Sequence, residues 1–224
     1  MLTEATDEYC LAEGEARKLL AGHPWRRFVV LGDSVAEGLC SPVPGYSELQ
    51  WADRLAAELQ VPDYLNLGVS GLRAHEIRAT QLAPALAFKP DLALVVGGGN
   101  DAFSARYNPD KVDTELSAMI TALQSAGADV ITLGMFNVSY SPAVADWLRP
   151  GLRQRMALLA ERTRALADRL GTIHVHLTDH PLSTDPTLYS PDGRHGTARS
   201  DAVAAAETGR RLSTEFAGFG HREP

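Results

Sequence analysis

Near the C-terminus, Asp192-Gly193-Arg194-His195 sets a carboxylate three residues ahead of an imidazole. Within one turn such an Asp can reach the imidazole, hold one tautomer, and stabilise the imidazolium formed when the other nitrogen takes a proton. That is the chemistry of an oriented general base. Gly32-Asp33-Ser34 offers it a hydroxyl to activate, directly behind the apolar run Phe28-Val29-Val30-Leu31 and ahead of Val35-Ala36-Glu37, which opens a helical turn. A serine there has its hydroxyl at a strand end and its backbone N–H at a helix start, where donors are unpaired and can face a developing oxyanion. Two further positions fit the same task. Gly71, in Asn66-Leu67-Gly68-Val69-Ser70-Gly71, lets its backbone N–H approach a ligand closely, and Asn100, in Gly98-Gly99-Asn100-Asp101, carries a neutral amide donor that does not titrate.

Each residue also has a plain structural alternative. Ser and Asp are common helix N-caps, glycine and asparagine are ordinary turn residues, and an Asp-x-x-His pair can be a solvated loop. The elements between them decide the matter. The run 28–31 is a buried strand stopped by Gly32, and Leu49, Ala52, Leu55, Ala56 and Leu59 recur at three and four residue steps, which predicts a helix over 47–59. The same reading gives strands at 64–67, 92–96, 130–133 and 173–177 and helices over 74–88, 112–125, 152–170 and 198–216, with a further helix over 3–21. Five short strands alternating with helices predict a parallel sheet covered on both faces, a three-layer α/β/α sandwich. In such sheets ligands sit outside the carboxyl ends of the strands, and Ser34, Gly71, Asn100 and His195 all fall at ends that the fold brings to one edge.

Composition narrows the partner. A chain of 224 residues with 45% hydrophobic and 22% charged residues builds one core, and 21 Lys plus Arg against 28 Asp plus Glu leave a net charge of −7. That balance disfavours a broad grip on nucleic-acid phosphates or an anionic membrane, so a small molecule is expected. No apolar run is long enough for a membrane span, and the acidic start, Glu4, Asp7 and Glu8, does not read as a secretory signal. Cys10 and Cys40 are too few for a disulfide framework, which predicts free thiols in a cytoplasmic setting. The expected organisation is an N-terminal helical extension over 1–26 that docks on the sandwich or mediates homo-oligomer formation, a main domain over 27–217, and a tail over 218–224.

Four blocks in order, Gly32-Asp33-Ser34, Gly71, Gly98-x-Asn100-Asp101 and Asp192-x-x-His195, resemble those of the SGNH hydrolases, also called GDSL esterases and lipases, from about residue 28 to 215. The resemblance implies Ser34 as nucleophile, His195 as general base and Asp192 as its orienter. It further implies an oxyanion hole from the N–H groups of Ser34 and Gly71 with the Asn100 side chain, and supporting positions at Asp33, Gly98 and Asp101. A five-stranded, flavodoxin-like parallel sheet and the absence of any metal or organic cofactor are implied as well. The sequence departs in Val35, where the common form has Leu, and in Arg199-Ser200-Asp201, where many relatives carry Gly-His; the second departure bears on local helix packing.

Other features are weighed and set aside. His174, His176 and His180 with Asp179 invite a metal reading, but strand residues on a covered sheet are usually core, so no metal is expected. Cys40 has no basic neighbour in sequence to lower its pKa and is expected to be a packing or pocket residue. Arg106 is a candidate for meeting an acidic substrate group, and the loops 137–150, with Tyr140 and Trp147, and 179–189 are candidate substrate walls. The glycine run 97–99 lacks the residues of a phosphate loop, and Gly32-Asp33-Ser34-Val35-Ala36 lacks the second glycine of the α/β-hydrolase elbow. The expected activity is therefore a serine ester hydrolase acting through an acyl-enzyme on a small-molecule ester. An acyltransferase with the same site and a noncatalytic ligand-binding module are the alternatives. Fluorophosphonate labelling separates the enzymes from the module, and products formed with and without an acceptor alcohol separate the enzymes from each other.

Overall fold

Strand β1 (Arg27–Leu31) explains the architecture, because Phe28 to Leu31 are all fully buried and a strand without an exposed face needs cover on both sides. The computed structural model describes residues 2–12 and 14–219. In chain order, α1 (Glu15–Leu19) precedes β1, followed by α2 (Ser34–Glu37), β2 (Cys40–Ser41), α3 (Trp51–Leu59), β3 (Asp63–Asn66), α4 (Ala74–Phe88), β4 (Leu92–Val95), α5 (Gly99–Phe103) and α6 (Pro109–Ser125). Then come β5 (Asp129–Gly134), α7 (Arg149–Leu170), β6 (Ile173–His176), β7 (Gly196–Thr197) and α8 (Ala198–Phe219). Residues 220–224 of the expected tail lie outside the described residues.

The main sheet has five parallel strands in the order β3-β1-β4-β5-β6. Alternation along β1 splits the core into two layers. Val29 and Leu31 face a cluster with Ile77 of α4, Leu116 of α6 and Leu159 of α7, while Phe28 and Val30 face Leu55 of α3 and Leu212 of α8. Burying each such side chain is worth about 1.5 to 3 kcal/mol. The expected three-layer sandwich is thus the observed fold. Strand order reverses between β1 and β4, and that switch point is where a doubly wound sheet opens a crevice at its carboxyl edge. No helix among the described residues is long and apolar enough to cross a membrane.

Two local expectations are corrected, and one element is added. Residues 3–21 do not form one helix: a 3₁₀ turn at Glu4–Thr6 and the one-turn α1, entered through Gly14 at φ 73°, replace it. The cause is long-range. Asp7 accepts from the Tyr9 N–H at 3.2 Å, the Tyr46 hydroxyl at 2.7 Å and Arg199 Nε at 2.7 Å, and a side chain so engaged competes with helix formation. Helix α3 begins at Trp51 rather than 47, because Arg54 takes the carbonyl oxygens of Leu49 and Ser47, both at 2.6 Å, and holds them outside the helix. A short parallel pair, Cys40↔Gly196 and Ser41↔Thr197, was not anticipated. It stitches the segment after α2 to the residues just beyond His195.

The Arg199 contact also revises the reading of that position as local helix packing, since it binds Asp7 of the N-terminal segment and Asp185 at 2.7 Å each. Arg199 and Asp7 are both buried. Burial alone would raise the Asp7 carboxyl, but the bonds from Arg199, Tyr46 and Tyr9 outweigh it and hold the group below the usual carboxylate range. Asp7→Asn should cost about 2 kcal/mol at neutral pH, less than a fully orphaned buried cation would because Asp185 remains. A depressed acid stabilises above its unfolded pKa, so the gap from wild type should close as pH falls below about 4. Urea unfolding of both proteins across pH checks this, and equal stability at pH 7 would show that the pair does not hold the N-terminal segment.

Candidate active site

The end of β1 is held rigidly before the serine is reached. Gln81 of α4, itself buried, accepts from the Gly32 N–H at 2.8 Å and donates to the Gly32 carbonyl at 2.8 Å, so one amide satisfies both backbone groups of that residue. Asp33 is the N-cap of α2 and accepts from the Val35 N–H at 3.0 Å. Ser34 is then the first helical residue, where the helix makes no use of its N–H. Trp51 Nε1 donates to the Val35 carbonyl and Asn66 Nδ2 to the Ala36 carbonyl, each at 2.7 Å, which fixes this four-residue helix from two sides.

Across the crevice, His195 Nδ1 pairs with Asp192 Oδ2 at 2.6 Å. The other carboxylate oxygen accepts from the Arg194 and His195 N–H groups at 2.8 and 3.0 Å, so the turn is closed on the same side chain that orients the ring. Burial would raise the Asp192 carboxyl, but these backbone and imidazole bonds hold it below the ordinary carboxylate range. It is ionised at neutral pH, and Nδ1 is therefore the protonated nitrogen, leaving Nε2 as the free base. His195 and Ser34 line one cavity, and no hydrogen bond joins them among the described residues. Such bonds commonly tighten only when substrate is bound.

The remaining sequence-derived residues meet on the same edge. Gly71, at φ 83° with open space where a Cβ would stand, and Asn100, in the first turn of α5, both line the cavity. Asn100 Nδ2 donates to the Leu72 carbonyl at 3.0 Å and to Asp33 Oδ2 at 3.3 Å, which fixes the orientation of the amide. Gly98 enters α5 at φ 95°, with Leu159 and Val112 packed where a side chain would go. Asp101 accepts from the Ala74 N–H at 2.9 Å and so ties α5 to the start of α4. Asp33 is almost wholly buried. Burial pushes its carboxyl up to about 6, against the Val35 N–H and the charge of His195, which lower it.

The cavity measures about 160 Å³, and its lining includes the apolar Leu133, Phe136, Met156, Leu177 and Leu188. Several residues expected there are elsewhere. Tyr140 lies under the Arg153 guanidinium, 4.4 Å from its ring centroid, and Trp147 is 84% exposed; neither lines the cavity, and Arg106 does not either. Arg194 does. His174 Nε2 lies 3.2 Å from His176 Nδ1 and His176 Nε2 lies 3.2 Å from Asp179, while His180 packs edge-on against Phe136. Burial pushes the His174 ring down to about 4, and among the described residues no group of three or more His, Cys, Asp or Glu side chains is arranged to hold a metal ion. Cys40 is half-buried and its thiol is pushed up to about 12, first by burial and then by Asp201. Asp201 itself escaped the sequence reading. It lines the cavity from α8, and its Oδ2 is sealed from solvent without a hydrogen-bond partner.

Comparison with known proteins adds a family. The model of the GDSL-like lipase/acylhydrolase family matches residues 30–202. Among solved structures, an acetylxylan esterase from Geobacillus stearothermophilus aligns with a TM-score of 0.68 at 15% identity, over 84% of this chain and 94% of its own. A lipase/acylhydrolase from Enterococcus faecalis aligns with a TM-score of 0.65 at 20% identity, over 85% and 96%. A GDSL-like lipase from Bacteroides thetaiotaomicron aligns with a TM-score of 0.61 at 20% identity, over 86% and 89%. No curated protein matches the sequence.

Asp201 generates a prediction. Burial pushes its carboxyl up to about 7, against smaller lowering contributions from the Cys40 thiol, Arg54 and the Trp51 N–H. An acid raised in the folded state stabilises the protein below its unfolded pKa, and that stability is lost as pH rises through the folded value. Between about pH 4 and 7, wild type should therefore lose on the order of 3 kcal/mol relative to Asp201→Asn. Thermal melts of both proteins at matched pH measure the difference, and parallel stability curves would mean that Asp201 ionises normally.

Proposed function

The chain belongs to the GDSL-like lipase/acylhydrolase family, and from that premise we propose that it is a serine ester hydrolase that works through an acyl-enzyme on a small-molecule ester. One observation carries the proposal: His195, paired with Asp192 at 2.6 Å, lines the same cavity as Ser34, Gly71 and Asn100. Ser34 Oγ attacks the ester carbonyl carbon as its proton passes to His195 Nε2, and Asp192 stabilises the imidazolium. The carbonyl oxygen becomes an oxyanion, received by the N–H groups of Ser34 and Gly71 and by Asn100 Nδ2. The Leu72 bond holds the amide in place, and the long 3.3 Å bond to Asp33 is the one an oxyanion displaces. His195 then gives its proton to the departing alcohol oxygen. A water, deprotonated by His195, attacks the acyl-Ser34 carbonyl, the acid leaves, and Ser34 regains its proton.

Size limits the acyl group. A cavity of about 160 Å³ compares with an engineered cavity of about 150 Å³ that holds benzene, which favours acyl groups of a few carbons. With p-nitrophenyl esters, acetate and butyrate should be turned over faster than decanoate.

Mutants test the mechanism. Ser34→Ala should abolish labelling by a fluorophosphonate and lower kcat by about 10³-fold or more with the fold intact, because members of such a triad act as a unit. Asn100→Ala should lower kcat by about 10² to 10³-fold with little change in KM, since its amide meets the charge only as it develops. Asp192→Asn removes the charge that favours the imidazolium, so activity should drop and the acid limb of kcat/KM should move to lower pH. Full turnover by folded Ser34→Ala protein would sink the mechanism.

A further inference from the structure

Arg194 precedes His195 in the chain, and its side chain meets α5 at Phe103. Its guanidinium carbon lies 5.4 Å from the ring centroid of Phe103, which ends α5, the helix that carries Asn100 in its first turn. Both residues line the cavity, so the contact runs from the turn of the general base to the helix of the amide donor. A cation–π interaction with the ring holds the guanidinium in place without using its N–H donors.

That charge is uncommitted. Among the described residues the Arg194 guanidinium has no ion pair and donates no hydrogen bond. Asp192 is two residues away, but its oxygens are taken by His195 Nδ1 and by the N–H groups of Arg194 and His195. Arg199, by contrast, spends its guanidinium on Asp7 and Asp185. In a chain of net charge −7, a cation held over the site without an acidic partner is a selective feature, since the overall field repels anions.

We infer that Arg194 recognises a carboxylate on the alcohol half of the substrate, so that the preferred substrates are short-chain acyl esters of carboxylated alcohols. The inference rests on the ester-hydrolase reading. In that reaction the leaving oxygen takes its proton from His195, which puts the alcohol half on the side of the carbonyl that Arg194 covers. A carboxylate suits the arrangement because its two oxygens match the in-plane fork of a guanidinium. A dianionic phosphate would bring two charges to one cation in a cavity that the acidic Asp33 also lines.

Three butyrate esters test it: those of 4-hydroxybenzoate, its neutral carboxamide, and 4-hydroxyphenyl phosphate. Wild type should prefer the carboxylate ester over the carboxamide ester by about 10 to 100-fold in kcat/KM, the range of one charge-assisted contact, and the preference should weaken with added salt. Arg194→Gln should bring that ratio close to the esters' ratio of uncatalysed hydrolysis rates, chiefly through KM, and Arg194→Lys should retain part of it. Comparing ratios between proteins cancels the intrinsic reactivity of the leaving groups. An unchanged ratio in Arg194→Gln, or a wild-type preference for the phosphate ester, overturns the assignment and leaves ester hydrolysis standing. Failure to turn over any of the three, together with no fluorophosphonate labelling of Ser34, overturns the hydrolase reading and this inference with it.

Discussion

The buried carboxyl of Asp33 is the group through which the parts of the site constrain one another. One oxygen caps α2 and sets where Ser34 begins a helix; the other receives the Asn100 amide from α5. The nearby charge of His195 favours its ionised form, while burial opposes it. Burying a carboxylate costs several kcal/mol unless its lone pairs are met, and here two donors from different elements meet them. Nucleophile and amide donor are therefore positioned by one shared group, while the base, oriented by Asp192, meets that group only through its charge.

What makes that group possible is the packing behind it. A carboxyl can cap α2 at this point only if β1 stops at Gly32, and the Gln81 amide enforces the stop by occupying both backbone groups of that residue. The switch of strand order between β1 and β4 leaves the crevice into which α2 and α5 both open. On the far side, the Cys40↔Gly196 pairing brings the residues after His195 against the segment after α2. That stitch adds to the bonds holding the general-base turn to the segment before it, among them the Ser190 N–H to the His195 carbonyl at 2.9 Å and Thr197 Oγ1 to the Thr187 carbonyl at 2.8 Å. The geometry of the site thus comes from rigid strand ends rather than from the loops themselves.

Legibility in the sequence followed the range of the forces involved. Buried parallel strands read as short apolar runs, so β1, β4 and β5 were found nearly to the residue, and the polar residues at their ends were the ones the fold gathers. Residues 3–21 were misread because helical periodicity is local, whereas Asp7 answers to Arg199, 192 positions away. Tyr140 and Trp147 were expected in the cavity because long loops at strand ends often supply walls. Both loops do line it, but through Val138, Leu188 and Tyr189, and Met156 of α7, whose apolar character looked like ordinary core, completes the wall. Asp201 had a visible signal that was not used: it lies on the first turn of α8 on the same helical face as Ala204, which also lines the cavity.

Two demands on the site pull in opposite directions along the pH axis. A general base must be neutral to accept the serine proton, so catalysis improves as pH rises. Asp33 and Asp201, each raised by burial, are best accommodated when protonated, so the same rise in pH removes folding free energy between the ordinary carboxylate range and about 6 or 7. The two acids differ in what their ionisation returns. At Asp33 the charge favours the imidazolium on His195, so the stability lost there serves the reaction. At Asp201 the groups that favour the charge, the Cys40 thiol, Arg54 and the Trp51 N–H, are none of the proposed reacting groups, and Oδ2 has no hydrogen-bond partner. Its effect on folding should then be separable from chemistry, which is what distinguishes a carboxyl that organises a site from one that only lines it.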